Sequence, residues 1–221
     1  LRDIVERQKV SAWALLDLAA RNRETVLWNA YLKARRQTER GAAGKPAAYA
    51  IPSAQHDPPT ALKMVNKLLL QGVEVRRSAR GFTSAEGLNY PAGSFVVPMA
   101  QPKMGLIRYL LGRTRYPDNE WTRARDGSPI RPYDLATDTM FEFMGVRVDP
   151  LERVPEGLAR VEEPVAAAGA VRGSAERHVF DGRTNDSFLA ANRLLDRGAR
   201  IWRVEKTAGG LRAGDFVTSG A

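Results

Sequence analysis

The sequence predicts an α/β protein in which an N-terminal helical connector precedes two repeated β-α-β-β units that form mixed sheets. Residues 1–40 contain no glycine or proline, which favours helix. Short apolar runs then alternate with capped helical patterns, as in an α/β domain. A flavodoxin-like arrangement of three layers is compatible with this order. We expect the connector over residues 1–45, the first unit over 46–150 and the second unit, truncated at its C-terminal end, over 151–221.

The connector carries apolar side chains at helical spacing over residues 4–32. The segment forms one or two helices, and the polar stretch ARNRE, residues 20–24, is the predicted bend. Gly41, which a second glycine and a proline follow closely, predicts the end of the helical segment. We expect this segment to pack on another domain or on the sheet.

The first unit begins with the apolar run AAYAIP, residues 47–52, which predicts a short buried strand. Asp57 is the predicted N-cap of the next helix, and Pro58 occupies its first position, where a missing N–H is no loss. Gly72 predicts the helix end. The predicted buried face of this helix consists of Leu62, Val65, Leu68 and Leu69.

The remainder of the first unit alternates strands, a helix and loops. Turn residues and β-formers predict a strand at 73–78, a hairpin-like excursion at 81–93, a strand at 94–99, a helix at 101–113 and a helix leading into a strand at 135–148. The residues between 112 and 136 are rich in arginine, proline and glycine, and they predict a long surface loop or lid. One short strand is expected near 159–165, before a linker rich in alanine and glycine.

The second half of the sequence repeats the first. NKLLLQGVEV at 66–75 aligns with NRLLDRGARI at 192–201, and PAGSFVV at 91–97 aligns with RAGDFVT at 212–218. In the second copy Asn185 or Asp186 is the predicted helix cap, and no histidine precedes it.

The two residues of the dipeptide His56-Asp57 therefore have different predicted roles. Asp57 is interpreted as a structural cap because the second copy keeps a capping residue. His56 is either a surface residue or a ligand contact, since ligands of α/β sheets bind where a strand end meets a helix N-terminus.

Composition excludes several classes of site. The chain has no cysteine, which excludes disulfides and thiol catalysis, and it has two histidines where a catalytic zinc typically takes three protein ligands. We therefore predict no metal site and no catalytic residue in this chain. No apolar run is long enough for a membrane span. The net charge of +9 comes from dispersed basic residues without interleaved aromatics, so we expect no nucleic-acid binding.

Several stretches, read together, resemble a known family. They are DIVERQKVSAWALLDLAARNRETVLWNAYLKARR, AYAIPSAQHDPPTALKMVNKLLLQGVEVRR, YPAGSFVVPMAQP, RPYD, MGVRVD, NDSFLAANRLLDRGARIWR and AGDFV. Their order resembles the region that follows the catalytic domain in large bacterial zinc carboxypeptidases of the carboxypeptidase-A-like family. The resemblance covers nearly the whole chain, and IPSAQHDP, GSFVVPMAQP and RPYD are its most specific parts.

The resemblance implies a non-catalytic accessory region, with α/β modules of amidotransferase-like fold. The family's His-x-x-Glu, third histidine ligand, substrate-binding arginine and general-base glutamate have no counterparts in this sequence. Zinc is then the cofactor of an upstream catalytic domain, and this region has none of its own. The parent protein would be an exported bacterial carboxypeptidase, periplasmic or extracellular. The partners implied are the parent's catalytic domain and a peptide or cell-wall ligand. The candidate binding residues, at strand ends, are Gln55, His56, Gln101 and Asp134.

Other functions remain open on the sequence. An independent module that binds a small molecule, peptide or glycan would have a cleft between the two repeats, lined by Tyr90, Trp121, Tyr133 and Trp202. An enzyme within this chain would need a convergent set of titratable groups. A nucleic-acid-binding protein would use the +9 charge and show a steep salt dependence.

Overall fold

The computed structural model describes residues 1–113, 116–131, 139–171 and 176–219. The helices are α1 (Arg2–Arg21), α2 (Arg23–Ala43), α3 (Pro58–Leu70), α4 (Met104–Leu111), α5 (Met140–Phe143) and α6 (Asn185–Asp196). The strands are β1 (Ala48–Ile51), β2 (Arg76–Ser78), β3 (Phe82–Thr83), β4 (Asn89–Tyr90), β5 (Phe95–Pro98), β6 (Asp149–Leu151), β7 (Leu158–Arg160), β8 (Arg177–Phe180), β9 (Ile201–Arg203) and β10 (Phe216–Ser219). The predicted α/β class, with its N-terminal helical connector, is confirmed.

The connector consists of α1 and α2, and the predicted bend lies at Asn22. The predicted stop at Gly41 is wrong, because α2 continues to Ala43 and Gly44 is its C-cap. Gly41 serves a different purpose. A Cβ atom there would lie 1.9 Å from the carbonyl oxygen of Met99, so only glycine lets α2 approach the backbone that follows β5.

The first sheet has five strands in the order β6-β1-β5-β2-β7. Every strand pairing among the described residues is antiparallel, where the sequence suggested mixed sheets. The cause is the position of β5. Strands β1 and β2 run in the same direction, as expected across a β-α-β connection, but β5 lies between them and pairs with both in the opposite direction.

The second sheet repeats the central part of the first. Its order is β8-β10-β9, which corresponds to β1-β5-β2. The register is also equivalent, because Ile51 pairs with Phe95 in the first sheet and Phe180 pairs with Phe216 in the second. Each unit's helix is followed by a glycine in the left-handed region, with φ of 74° at Gly72 and 80° at the matching position of the second copy.

The main hydrophobic core lies between the first sheet and helices α3, α4 and α5. On α3 the predicted Val65 and Leu68 are fully buried, whereas Leu62 and Leu69 are partly buried at its edge. Met64, which was not predicted, is also fully buried. Ala48, Ala50, Tyr90, Val96 and Leu151 form a smaller cluster on the opposite side of the sheet.

The segment between residues 112 and 136 is described for residues 112–113 and 116–131 only. Residues 116–131 are mostly exposed and contain a short 3₁₀ helix, Glu120–Thr122, and a bridge between Arg123 and Pro129. Arg123 also pairs with Asp118.

The predicted domain boundary between residues 150 and 151 falls within β6, and β7 belongs to the first sheet. In the described part of the chain, no helix combines the length and the apolar character that crossing a membrane requires.

Candidate functional site

Gln55 lies just beyond β1, and its carboxamide is bound to backbone. The Nε2 group donates to the carbonyl oxygen of Arg147 at 3.0 Å, and Oε1 accepts from the N–H of the same residue at 2.9 Å. A further bond from Nε2 reaches Pro52 at 2.9 Å. The side chain therefore acts as an extra peptide group that joins the end of β1 to the segment leading into β6.

Gln101 forms an equivalent arrangement at the opposite end of the sheet. Its Oε1 accepts from the N–H of Glu74 at 2.7 Å, and its Nε2 donates to the carbonyl oxygen of Glu74 at 3.1 Å and to that of Pro98 at 2.7 Å. Because β1 and β5 are antiparallel, the residues after β5 lie at the start of β1. Gln55 and Gln101 are therefore separated by the length of a four-residue strand, about 13 Å.

Asn66 on α3 is a third carboxamide with the same geometry. It donates to the carbonyl oxygen of Val165 at 2.9 Å and accepts from its N–H at 2.8 Å. These three side chains fix loops by pairing with peptide groups. For Gln55 and Gln101 these bonds supply a structural role, and a binding role stays a prediction.

His56 and Asp57 are adjacent in sequence but lie in different environments. His56 is exposed, whereas Asp57 is 7% exposed. As predicted, Asp57 caps α3, with Oδ1 accepting from the N–H of Thr60 at 3.1 Å. Its Oδ2 accepts from the Thr60 hydroxyl at 2.7 Å and from the N–H of Asn185, in the second repeat, at 2.8 Å.

The carboxylate of Asp57 thus serves the N-termini of two helices. Burial alone would raise its pKa, but the hydrogen bonds from Asn185 and Thr60, together with Lys63, hold that pKa below its usual value. Asp57 is therefore a buried anion that joins α3 to α6, and the exposed His56 beside it is not part of this network.

The predicted cap of α6 at Asn185 or Asp186 is wrong. The N-cap is Thr184, whose side chain makes no capping bond. The first N–H of α6 is instead satisfied by Asp57, so the acceptor comes from the other repeat. Asp186 pairs with Lys63 on α3 and adds a second link between the two helices.

The remaining predicted site residues do not share one surface with these. Asp134 and Tyr133 lie outside the described residues. Of the other aromatic residues proposed for a cleft, Tyr90 is buried and donates to Asp149, Trp121 is 82% exposed, and Trp202 lies in β9. Over the described residues, no three histidine, aspartate or glutamate side chains are placed to hold a metal ion together.

A long exposed apolar stripe runs along the connector. Its members recur every eleven residues, a spacing that returns to nearly the same helix face. They are Ile4, Leu15 and Val26, and Val5, Leu16 and Leu27. All six are exposed, and no residue of α1 is buried. Among the described residues, the C-terminal part of α2 packs on the α/β body, against α4 and the backbone after β5.

A cavity of about 530 Å³ opens at the C-terminal end of α4. Its lining residues come from the start of β1, the end of α4, α5 and the entry to β6. They are Pro46, Tyr49, Arg108, Leu111, Gly112, Arg113, Phe141, Val148 and Pro150. Sequence reasoning missed this site because its polar residues are distant in sequence and match no motif.

No family model matches the sequence, and comparison with curated proteins and with solved structures found no significant match. The geometry of the chain and the resemblance described above are therefore the basis for assigning a role.

Proposed function

We propose that this chain is a non-catalytic accessory region of an exported bacterial zinc metallocarboxypeptidase-like protein, and that the connector docks it on the catalytic domain. The observation that supports this is the apolar stripe of α1 and α2. A stable single domain rarely exposes a continuous apolar surface of this length, and such surfaces usually mark a protein interface.

The energy available from the stripe is sufficient for docking. Burying one leucine, isoleucine or valine side chain is worth about 1.5 to 3 kcal/mol. Six half-exposed side chains together give on the order of 5 to 10 kcal/mol, from which the entropic cost of ordering must be subtracted. That cost is smaller when both partners belong to one polypeptide, because the second contact is then intramolecular.

The charges of α1 favour a protein as the partner. Four basic and three acidic side chains nearly balance each other in α1, residues 2–21, although the whole chain carries +9. Two of the acidic side chains pair with basic ones of the same helix segment, Glu6 with Lys9 and Asp17 with Arg21. An apolar helix with a net charge of only +1 has little attraction for nucleic acid or an anionic surface. In the proteins that the chain resembles, the catalytic domain directly precedes this helical segment.

Over the part of the chain that the structure describes, the residues do not fit a catalytic zinc site. His56 is next to a carboxylate that is fully engaged in capping two helices, and His178 lies on β8 in the other repeat. In the proposal, zinc belongs to the catalytic domain, where it would polarise the scissile carbonyl and activate water. This region's own contribution is to pack on that domain.

Hydrogen exchange tests the proposal in the complete natural polypeptide. The backbone amides of α1 are expected to exchange at least about tenfold more slowly there than in this chain alone, because docking adds to the opening free energy of the helix. Leu16→Glu is expected to abolish this extra protection. Leu70→Glu is the matched control, since Leu70 is 86% exposed on α3 and lies outside the stripe.

Two outcomes would contradict the proposal. Equal exchange of α1 in both polypeptides would show that nothing covers the stripe. A complete polypeptide without zinc-dependent release of C-terminal residues would remove the peptidase assignment, even if α1 is protected. The two results therefore separate docking from the family assignment.

A further inference from the structure

We propose that the cavity at the C-terminal end of α4 binds a small monocarboxylate with an aromatic or branched aliphatic body. This site, named the Tyr49 cavity, lies within the first repeat and not between the two repeats. It is independent of the proposed docking of α1, because none of its lining residues belongs to the connector helices.

Three polar groups of the lining suit an anion. Tyr49, Arg108 and Arg113 are among the residues that line the cavity, and none of the described lining residues is acidic. Guanidinium groups bind carboxylates through charge-assisted hydrogen bonds that are often bidentate. Two cations without an acidic neighbour in the lining therefore favour a negatively charged ligand.

Tyr49 is fixed as a donor by its position on β1. The residue is 5% exposed, so its ring is held by the core while its hydroxyl lines the cavity. Burial raises the pKa of Tyr49, although the nearby Arg108 opposes this effect. The phenol therefore keeps its proton at neutral pH and can donate a hydrogen bond to a carboxylate oxygen.

Gly112 leaves room at this hydroxyl. A Cβ atom at Gly112 would lie 3.1 Å from the Tyr49 oxygen and 2.3 Å from the carbonyl oxygen of Arg108. Any other residue would crowd the space beside the hydroxyl and disturb the end of α4. The glycine thus keeps the Tyr49 hydroxyl accessible to a ligand atom.

The rest of the lining selects the body of the ligand. Leu111, Phe141 and Val148 are buried apolar side chains, and two prolines complete the wall. A volume of about 530 Å³ lies within the usual range for small-molecule sites. The apolar wall and the cationic end together fit a molecule with one charged head and an apolar tail.

The end of α4 contributes to the local charge at the cavity. The C-terminus of a helix carries a partial negative charge, which opposes an anion. Arg108 and Arg113 flank this end of the helix. Their two full positive charges exceed that partial charge, so the site still attracts a carboxylate.

Calorimetric titration of this chain with phenylacetate and with phenylacetamide tests the inference. The two probes have the same aromatic body and differ in charge at the head group. Phenylacetate is expected to bind with a Kd of about 1 mM or lower, and phenylacetamide at least about tenfold more weakly. Arg108→Gln is expected to weaken phenylacetate binding by about tenfold, and Arg200→Gln, which makes the same charge change on the second repeat, by less than about twofold.

Tyr49→Phe provides a second variant that keeps the core ring. It is expected to weaken phenylacetate binding by about threefold or more while leaving phenylacetamide binding less affected. Equal binding of both probes, no binding of either, or equal effects of Arg108→Gln and Arg200→Gln would overturn the inference. A fold check by circular dichroism on each variant separates loss of the site from loss of the structure.

Discussion

The two repeats have the same topology and register but differ in burial. In the first, all residues of β1 and β5 are buried between packed layers. In the second, β8 and β10 alternate between more and less exposed residues, as strands do when one face meets solvent. The added strands β6 and β7 and the helices α4 and α5 complete the first repeat. The described residues of the second form three strands and the single helix α6.

The loop before the last strand of each unit shows how one geometry is kept with different side chains. Ser94 and Asp215 occupy the same position, and each accepts a backbone N–H from the loop after the unit's first strand, at 3.1 and 3.2 Å. The Ser94 hydroxyl also donates to the carbonyl of Pro91, whereas Asp215 accepts from the N–H of Arg212. Proline has no N–H to donate, so the first copy needs a donor there and the second needs an acceptor.

An arginine over a phenylalanine is present in both repeats. Arg77 lies 5.4 Å from the ring centroid of Phe95, and Arg203 lies 5.6 Å from that of Phe216. Both arginines pair directly with these phenylalanines across neighbouring strands. Local strand pairing is therefore retained in both copies, whereas the deep core is specific to the first. The two repeats therefore share a topology but not the same degree of burial.

The largest expected effect is a difference in stability loss between equivalent helix positions of the two repeats. Leu68→Ala on α3 should lower the free energy of unfolding by about 3 kcal/mol, because Leu68 is fully buried and its removal leaves a cavity. Leu194→Ala at the matching place on α6 should cost about 1 kcal/mol, because Leu194 is only partly buried. Urea denaturation of both variants measures the difference. Equal losses would mean that the second repeat has a core of the same quality.

The next effect concerns the link between the repeats. Asp57→Ala should cost about 2 kcal/mol, because the N-termini of α3 and α6 both lose an acceptor. Asp57→Asn is the matched control and should cost less, since its amide oxygen can still cap one helix.

The lowered pKa of Asp57 predicts that the stability of the fold depends on pH. Because the folded-state pKa of Asp57 is lowered, its ionised form stabilises the fold above the ordinary aspartate pKa of about 4. That contribution is lost as the pH falls from about 4 through the folded-state value. Urea denaturation at several acidic pH values should show a shallower loss of stability for Asp57→Asn than for the wild type. Parallel curves for the two proteins would contradict a role for this ionisation.

The smallest expected effect concerns the arginine–phenylalanine contact that both repeats contain. Arg77→Met and Arg203→Met should each cost about 0.5 to 1 kcal/mol, because each removes a cation over an aromatic ring and keeps most of the apolar stem. Thermal denaturation detects both changes. A loss of stability at only one of the two positions would show that the arginine–phenylalanine contact contributes differently to stability in the two repeats.

Much of the fold was predictable because it depends on local patterns. The helix from Pro58, its glycine stop at Gly72 and the matching pattern around Gly198 follow from capping and apolar spacing, and the structure confirms them. The site was less predictable. Gln55 and Gln101 are predicted binding residues because they are polar and lie at strand ends. Their hydrogen-bond partners are backbone groups distant in sequence, and no local pattern reveals such partners.

The sequence by itself determined the helical connector, the α/β class and the internal repeat, since each depends on periodicity, capping or direct sequence similarity. Only the tertiary structure decided that β5 lies between β1 and β2, that Asp57 caps a helix of the other repeat and that the stripe of α1 stays uncovered. These features depend on long-range pairing and on which surfaces meet. Helix and turn propensities act over a few residues and do not specify such contacts.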